Sequence, residues 1–197
     1  MERMLVASIV GILVAGAVSA ANLDGYSVTL LSSGLNSINF AGPATRGIIV
    51  MARRENFNAH SFDVATFYLT KVGGDGALSI VGLWNSEKEE LYTTVTGGAD
   101  CTLHDFRLLT RPAGGSPLLV RADRDSGDSF VARAKVTFRI YDLKSNDKSE
   151  PGRPAWYFDL VETRHAAANY CDVESALSNE LGLGASRRPS NQRLERP

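Results

Sequence analysis

Short runs of β-branched and aromatic residues, each bounded by turn-forming residues, restrict the fold of this chain more than any other feature. The runs extend from Tyr26 to Thr163, and clusters of Gly, Asn, Asp and Pro separate them. Val, Ile, Phe, Tyr and Thr favour extended strands, whereas Gly, Asn, Asp and Pro favour turns. About ten strands at this spacing predict a mainly β fold, an antiparallel sandwich or barrel. The predicted strands are Tyr26–Leu31, Ser37–Phe40, Gly47–Ala52, Ser61–Lys71, Ala77–Leu83, Glu90–Thr96, Leu103–Thr110, Leu118–Arg121, Ser129–Leu143 and Ala155–Thr163.

The clearest alternation of apolar and polar residues lies in the predicted strand Ser129–Leu143. Such alternation predicts that one face packs and that the other contacts water. The apolar face carries Ala134, Val136, Phe138 and Ile140, and the polar face carries Arg133, Lys135, Thr137 and Arg139. We expect acidic residues on a neighbouring strand to neutralise the basic face. We also expect the apolar face to pack against a similar face of the last strand, formed by Trp156, Phe158 and Leu160.

One helix is predicted near the C-terminus. Its apolar residues recur at helical spacing, and they are Tyr170, Val173, Leu177 and Leu181. Asn169 is predicted to cap the helix, Cys171 falls in its first turn, and Gly182 and Gly184 are predicted to end it. Residues 184–197 carry four Arg and one Glu without apolar periodicity, so they are predicted to form a flexible tail. The β-rich domain is therefore predicted to span residues 21–183.

Residues 1–20 have the pattern of a secretory signal peptide. Met4–Val18 is apolar and uncharged and follows Arg3, and the small residues from Ser19 to Ala21 suit a signal peptidase. An uncleaved membrane anchor is the alternative, but a helix that spans the bilayer needs about 20 apolar residues. We therefore predict cleavage after Ala20, export of the mature chain, and no stable membrane insertion afterwards.

The mature chain has two cysteines, Cys101 and Cys171. Export to an oxidising compartment favours one disulfide between them. A reactive thiol or a metal-binding pair is the alternative, and His104 lies close to Cys101 in sequence. The chain has no C-x-x-C pair, however, so the disulfide is the prediction.

Charge and motifs argue against nucleic-acid binding and against catalysis. The chain has 21 Lys+Arg and 22 Asp+Glu, whereas nucleic-acid binders normally carry a basic surface. It contains neither a G-x-S-x-G nor an H-E-x-x-H motif, and its His residues, His60, His104 and His165, are far apart. The segment from Asp123 to Asp128 resembles part of a calcium loop, but its Gly comes one place early, so a hairpin turn is favoured. We therefore expect no catalytic residue, no metal site and no cofactor.

The densest polar segment joins two predicted strands and is the candidate binding site. Its candidate residues are Arg53, Arg54, Glu55, Asn56, Asn58 and His60. Guanidinium groups suit carboxylates, amides both donate and accept hydrogen bonds, and His changes charge near neutral pH. The segment would therefore suit an anionic ligand or a partner. The alternative is a structural loop, in which Glu55 pairs with an Arg and the Asn side chains bond to the backbone.

Three stretches carry a resemblance to a known family. They are MARRENFNAHSFDVATFYL from Met51 to Leu69, ADCTLHDFRLL from Ala99 to Leu109, and NYCDVESAL from Asn169 to Leu177. On these stretches the sequence resembles the CarG-like family of carbapenem intrinsic-resistance proteins. The resemblance implies a periplasmic protein of a Gram-negative bacterium that helps a cell to survive a carbapenem without hydrolysing it.

The residues and the resemblance together predict a non-catalytic binding protein. Its expected partner is a second periplasmic resistance protein or another copy of the chain, and its expected ligand is a carbapenem or a cell-wall fragment. Nucleic acid is not an expected partner. Two alternatives stay open: a structural protein of the cell envelope and a secreted hydrolase.

Overall fold

The computed structural model describes residues 21–40, 45–58, 60–71, 74–97, 101–111, 114–125 and 129–187, so the predicted signal peptide lies outside it. These residues form eleven strands and one helix. The strands are β1 (Ser27–Val28), β2 (Gly34–Asn39), β3 (Thr45–Arg54), β4 (Phe62–Lys71), β5 (Ser79–Trp84), β6 (Glu89–Glu90), β7 (Thr93–Gly97), β8 (Thr102–Thr110), β9 (Leu118–Arg124), β10 (Val136–Ser145) and β11 (Trp156–His165), and the helix is α1 (Val173–Leu181). Among the described residues, no helix has the length and apolar character needed to cross a membrane.

The strand pairing closes into a barrel around β4. One edge of β4 pairs with β3 along its whole length, and β2 extends that side. The other edge is shared, because β7 pairs with Asp63–Ala65 and β5 pairs with Phe67–Leu69. A continuous path through β7, β8, β9, β10, β11 and β5 then returns to β4, which makes a ring of seven strands. The predicted mainly β fold with one C-terminal helix is thus confirmed. Of the two predicted alternatives, sandwich and barrel, the strand pairing gives a barrel.

One pair in this ring is parallel. β11 runs in the same direction as β5, with Phe158 opposite Leu83. The predicted antiparallel arrangement is therefore incomplete. A tight turn imposes antiparallel pairing only on strands that are adjacent in sequence, and five strands separate β5 from β11 along the chain.

Aromatic side chains fill the barrel interior. Phe67 contacts Phe106 and Phe158 edge to face, with ring centroids 5.9 and 5.5 Å apart. Phe40 lies against Phe158 at 6.0 Å and also against the backbone of Gly47, where an added Cβ would lie 2.5 Å from the Phe40 ring. Glycine is therefore required at position 47 for this ring to reach the core.

A second apolar layer lies on the outer face of β8, β9 and β10. α1 covers it with Val173, Ala176 and Leu177. The predicted apolar face of Val136, Phe138 and Ile140 is buried here, whereas Phe158 of β11 is buried in the barrel interior. The prediction that these two faces pack against each other is therefore wrong. Successive residues of a strand point to opposite sides, and both sides of this sheet are covered.

The predicted strand Ser129–Leu143 begins later than expected, at Val136. The buried Arg124 explains the delay, because its guanidinium donates hydrogen bonds to the carbonyl oxygens of Phe130 and Ala132, both at 2.8 Å. The carbonyl groups that an extended strand would offer to a neighbour are thus used by a side chain. Phe130 and Val131 are left exposed in the segment before β10.

The helix also begins later than predicted, at Val173, with Asp172 rather than Asn169 at the N-cap position. Tyr170 forms an antiparallel bridge with Ala134, which keeps the chain extended up to that point. The Asp172 carboxylate accepts a hydrogen bond from the Thr102 backbone N–H at 2.6 Å instead of capping its own helix. Gly182 ends the helix as predicted, in the left-handed conformation with φ 67°.

The predicted disulfide between Cys101 and Cys171 is present. It joins the start of β8 to the segment just before α1, and the two cysteines are 70 residues apart in sequence. Closing a loop of this length contributes about 4 kcal/mol in the chain-entropy account. The bridge therefore holds the helix on the outer face of the barrel.

The first residues of the predicted tail lie against the barrel. The Arg107 Nε donates to the Gly184 carbonyl oxygen at 2.6 Å, and the Leu31 N–H donates to the Ser186 carbonyl oxygen at 2.7 Å. Ser186 is buried, and Arg187 pairs with Leu31 in a parallel bridge. The rest of the predicted tail, residues 188–197, lies outside the described residues.

Candidate functional site

The candidate segment Arg53–His60 is the connection between β3 and β4. β3 ends at Arg54 and β4 begins at Phe62, and these two residues are paired across the strands. Residues 55–61 therefore form a loop at the end of a long hairpin, of which position 59 is not described. Most of its described residues are exposed.

Glu55 organises the first half of the loop. Its carboxylate accepts a hydrogen bond from the Phe57 N–H at 2.9 Å and another from the Ser61 hydroxyl. The Arg53 Nε lies 3.4 Å from the same carboxylate. The Ser61 and Phe57 hydrogen bonds, with a smaller contribution from Arg53, lower the pKa of Glu55.

The amide side chains organise the second half of the loop. The Asn56 Nδ2 donates to the His60 carbonyl oxygen at 2.9 Å, and the Asn58 Oδ1 accepts from the His60 N–H at 2.9 Å. The Ser61 hydroxyl accepts from the Asn56 N–H at 3.0 Å. The contacts of the structural alternative are thus all present, and they link the described residues of the loop to one another.

Phe57 lies at the tip of this loop and is 95% exposed. Its φ is 56°, in the left-handed region that bulky residues rarely adopt. An aromatic ring in water and an unfavourable backbone conformation both oppose stability. Backbone strain of this kind is found most often at functional sites. Phe57 is not one of the residues predicted from the sequence to form the site, although it lies between them.

The two arginines of the segment do not point to the same place. Arg53 faces Asp63 of β4, with 3.5 Å between Nη1 and Oδ1, whereas the Arg54 guanidinium lies over the Phe62 ring at 5.4 Å. Consecutive residues of a strand point to opposite faces, so this divergence follows from their position in β3. The two guanidinium groups therefore do not form one binding fork for a carboxylate.

Arg53 and Asp63 lie beside the start of the predicted tail. The Arg187 Nη1 lies 2.6 Å from the Asp63 Oδ2, so one carboxylate serves two arginines. These three residues border a cavity of about 230 Å³ that Leu31 and Met51 also line. The chain that follows α1 thus reaches the base of the candidate loop.

A second group of charged side chains lies on the inner face of β8, β9 and β10, with Asp123 at its centre. The His104 Nδ1 lies 2.9 Å from the Asp123 Oδ1, and the Arg121 Nε lies 3.0 Å from the Oδ2. The Arg139 Nη1 reaches the same Oδ2 at 2.5 Å. The prediction that an acid on a neighbouring strand neutralises Arg139 is confirmed. Asp123, which sequence analysis assigned to a turn or calcium loop, is part of β9 instead.

Glu90 of β6 extends this group. Its Oε2 lies 2.5 Å from the Arg121 Nη1, and its Oε1 lies 3.4 Å from the Lys88 Nζ. Burial alone would raise the pKa of Asp123 and of Glu90. The hydrogen bond from His104 and the nearby guanidinium charges outweigh burial at Asp123, and Arg121 and Lys88 outweigh it at Glu90, so both pKa values are lowered.

These charged residues border a pocket of about 190 Å³. Its lining consists of Glu90, Tyr92, Thr93, Thr94, His104, Arg121 and Asp123. Thr93 is 3% exposed, and its hydroxyl has no hydrogen-bond partner among the described residues. A buried polar group without a partner costs about 1–3 kcal/mol. The Thr93 hydroxyl is therefore available to form a hydrogen bond with a ligand in the pocket.

The pocket is not evident from the sequence, because its residues come from β6, β7, β8, β9 and the connection between β6 and β7. Arg121 and Asp123 are two residues apart on β9, and His104 is opposite Asp123 on β8. The spacing of Arg121 and Asp123 indicates a shared strand face, but only the pairing of β8 with β9 places His104 beside it. The three histidines are separated in the fold, since His60 is in the loop and the His165 Nδ1 lies 3.2 Å from the Thr137 hydroxyl. Among the described residues, no three His, Cys, Asp or Glu side chains are grouped so as to hold a metal ion.

Comparison with known proteins gives two matches. A family profile described as "Carbapenem resistance protein CarG-like" matches residues 31–179. A solved structure described as "Crystal structure of CarG" has 22% sequence identity and a TM-score of 0.65, and the alignment covers 81% of this chain and 99% of that chain. No curated protein sequence matches. The structural likeness supports the barrel fold over nearly the whole length of the solved chain.

Proposed function

Because the chain belongs to the CarG-like family of carbapenem resistance proteins, we propose that it protects cells from a carbapenem by binding a partner protein, without breaking a bond in the antibiotic. The loop of residues 53–61 is the proposed contact surface. The exposure of Phe57 on a hydrogen-bonded loop, in a left-handed backbone conformation, is the observation that carries this proposal. An aromatic side chain presented without a change of shape loses little entropy when it is buried in a partner.

The residues around Phe57 suit a protein partner better than a small anion. Arg53 and Arg54 diverge, so they offer two separate contacts rather than one fork. Aromatic and Arg residues are enriched among the residues that dominate protein–protein binding energy. The proposed partner is a second periplasmic resistance protein or another copy of this chain, and a carbapenem or cell-wall fragment is the less favoured ligand.

Export to the periplasm is part of the same proposal. The leader at residues 1–20 has the pattern of a signal peptide. The disulfide between Cys101 and Cys171 is compatible with an oxidising compartment. A test is to express the whole chain in a Gram-negative cell and to measure the mass and location of the mature protein. Full-length protein in the cytoplasm would contradict this part of the proposal.

To test the function, the protein is expressed in the periplasm of a carbapenem-sensitive cell, and the tolerance of that cell to a carbapenem is measured. We expect the native chain to raise the minimal inhibitory concentration. Phe57→Ala and the double variant Arg53→Ala/Arg54→Ala should abolish this rise while the proteins stay folded. Phe130→Ala is the matched control, because Phe130 is also exposed but lies on a different loop.

Full tolerance in folded variants of both kinds would exclude the loop as the contact surface. A rise in tolerance that depends on neither Phe57 nor Phe130, together with envelope damage on deletion, would favour the structural role in the envelope. If Phe57→Ala does abolish tolerance, cross-linking from a photoreactive residue at position 57 should capture the partner, and absence of any cross-linked protein would contradict the proposal.

One observation favours a second candidate function, hydrolysis. The Asp123 carboxylate is positioned to orient the imidazole of His104, an arrangement that general-base catalysis uses. Purified mature protein incubated with a carbapenem would then consume the β-lactam chromophore. The binding proposal predicts no turnover above background. If the protein does consume the carbapenem and His104→Ala abolishes this turnover, the binding proposal is wrong and the protein is a hydrolase.

A further inference from the structure

In the pocket at the inner face of β8 and β9, the Asp123 carboxylate already accepts hydrogen bonds, whereas two hydrogen-bond donors lack an acceptor among the described residues. Both oxygens of the Asp123 carboxylate are engaged, by His104 on one side and by Arg121 and Arg139 on the other. The Arg121 guanidinium uses Nε and Nη1, and its Nη2 contacts no acceptor among the described residues. The buried Thr93 hydroxyl also has no partner there. A ligand that fits this pattern must accept hydrogen bonds.

The charges of the pocket, taken together with those of the residues that pair with its carboxylates, favour an anion. Among the lining residues, Arg121 is cationic and Glu90 and Asp123 are anionic. Lys88 and Arg139 lie outside the lining and pair with these two carboxylates, so the whole cluster has a formal charge of +1 with His104 neutral. The two carboxylates also hold the Arg121 guanidinium by its Nε and Nη1, so the free edge of the group does not need to be ordered when a ligand binds.

The size of the pocket limits the ligand further. Its volume of about 190 Å³ is smaller than the roughly 300–1,000 Å³ of sites that enclose a drug-sized molecule. It suits one functional group of a larger molecule or a free anion of a few atoms. A carboxylate is negatively charged, matches the planar geometry of a guanidinium, and is small enough for this volume.

We propose that this pocket binds a single carboxylate group, with the Arg121 Nη2 and the Thr93 hydroxyl as its hydrogen-bond donors. The proposal goes beyond the function given to the loop, because the pocket is formed by different strands and none of the loop residues lines it. Three sources share this chemistry: the carboxylate of a carbapenem, the C-terminal carboxylate of a cell-wall peptide, and a small free carboxylate.

The test is titration of the mature protein, followed by amide chemical shifts, with acetate, a carbapenem and the dipeptide D-alanyl-D-alanine. Acetamide is the neutral control, because it has the shape of acetate without the charge. We expect carboxylates to shift the amide signals around Thr93 and Arg121 and acetamide to leave them unchanged. If the carbapenem or the dipeptide binds more tightly than acetate, it identifies the source, and otherwise the ligand is a small free carboxylate.

Two variants separate binding from folding. Thr93→Val removes the unused hydroxyl, so it should leave or raise the melting temperature and weaken carboxylate binding about five- to tenfold, as expected for one hydrogen bond. Thr96→Val, on the same strand but outside the pocket, should change neither. Binding of acetamide as tight as that of acetate, unchanged affinity in Thr93→Val, or no carboxylate binding at all would each overturn the proposal. The loop proposal does not depend on any of these results.

Discussion

The helix-covered face of the barrel and the loop between β3 and β4 each contain an arginine and a carboxylate two residues apart in sequence. On the helix-covered face, Arg107 and Asp105 are joined at 2.5 Å and each side chain is 1% exposed. In the loop, Arg53 and Glu55 are 3.4 Å apart and are 59% and 47% exposed. The two pairs look alike in the sequence, but they have opposite consequences.

The buried pair has a structural role. Arg107 also donates to the Gly184 carbonyl oxygen and contacts the Ser186 hydroxyl, so it joins β8 to the chain after α1. The exposed pair contributes little to stability, because water and salt screen it. Its groups can therefore exchange their partners for those of another protein at small cost. The difference teaches that burial, which non-local neighbours decide, determines whether a charged residue holds the fold or is available for binding.

The sharpest test of this comparison is to break the buried pair. Arg107→Met leaves the Asp105 carboxylate buried without its cation, and we expect a loss of about 3–5 kcal/mol in the free energy of unfolding. Denaturant unfolding of the mature protein measures it. The same change in the loop, Arg53→Met, should alter the free energy of unfolding by less than about 1 kcal/mol.

A double variant shows whether the unpaired charge is the cause. Arg107→Met/Asp105→Leu removes both charges and should recover much of the loss, because no buried ion is left without a partner. Equal loss in the single and double variants would mean that the hydrogen bonds of Arg107 to the chain after α1 dominate instead. Equal loss in Arg107→Met and Arg53→Met would contradict the comparison itself.

The fold was largely predictable from local patterns. The apolar alternation of Val136, Phe138 and Ile140 identifies a packed strand face, because side-chain direction along a strand has a period of two. The same pattern does not state what covers that face, and here it is α1 rather than a strand. The start of the helix was mispredicted for a related reason, since the bridge between Tyr170 and Ala134 overrides local capping preference.

The functional surfaces were less predictable. The loop was found because its polar residues are contiguous, yet Phe57 was overlooked because an aromatic residue ordinarily indicates a core. The pocket was missed because Thr93, His104 and Arg121 meet only through strand pairing. Sequence patterns thus locate a site made from one segment and fail for a site made from several strands.

The second test concerns Asp123, whose exposure lies between those of the two pairs. Its pKa is lowered in the folded protein, so its contribution to stability is present above the ordinary carboxyl pKa of about 3.9 and is lost as the pH falls through the lowered value. Asp123→Asn should cost about 1.5–3 kcal/mol at neutral pH, as expected for a hydrogen bond to a charged group. The difference in the free energy of unfolding between the native protein and the variant should become smaller below about pH 4.

Urea unfolding across this pH range measures that gap. Glu55→Gln in the loop is the matched control, because its carboxylate is also hydrogen-bonded but lies in water. It should leave the urea midpoint at neutral pH almost unchanged. A gap for Asp123→Asn that stays constant from neutral to acid pH would show that the charge of Asp123 does not stabilise the fold.

The smallest effect on stability is expected at Phe57. At this position the backbone conformation favours glycine, whereas the proposed function requires the aromatic ring. Phe57→Gly removes a left-handed strain of about 1–2 kcal/mol but adds about 0.5–1 kcal/mol of freedom to the unfolded chain. The net change should be a gain between zero and about 1.5 kcal/mol, measured by denaturant unfolding. Phe57→Ala keeps the strain and should not be more stable than the native chain.

The same two variants sharpen the comparison between fold and contact surface. Both lack the ring, so both should lose carbapenem tolerance to the same extent although they differ in stability. If tolerance instead follows stability, with Phe57→Gly active and Phe57→Ala inactive, the loop conformation rather than the ring makes the contact. A clear loss of stability in Phe57→Gly would mean that the ring packs against the protein, which its 95% exposure contradicts. The loop would then belong with the helix-covered face as part of the fold.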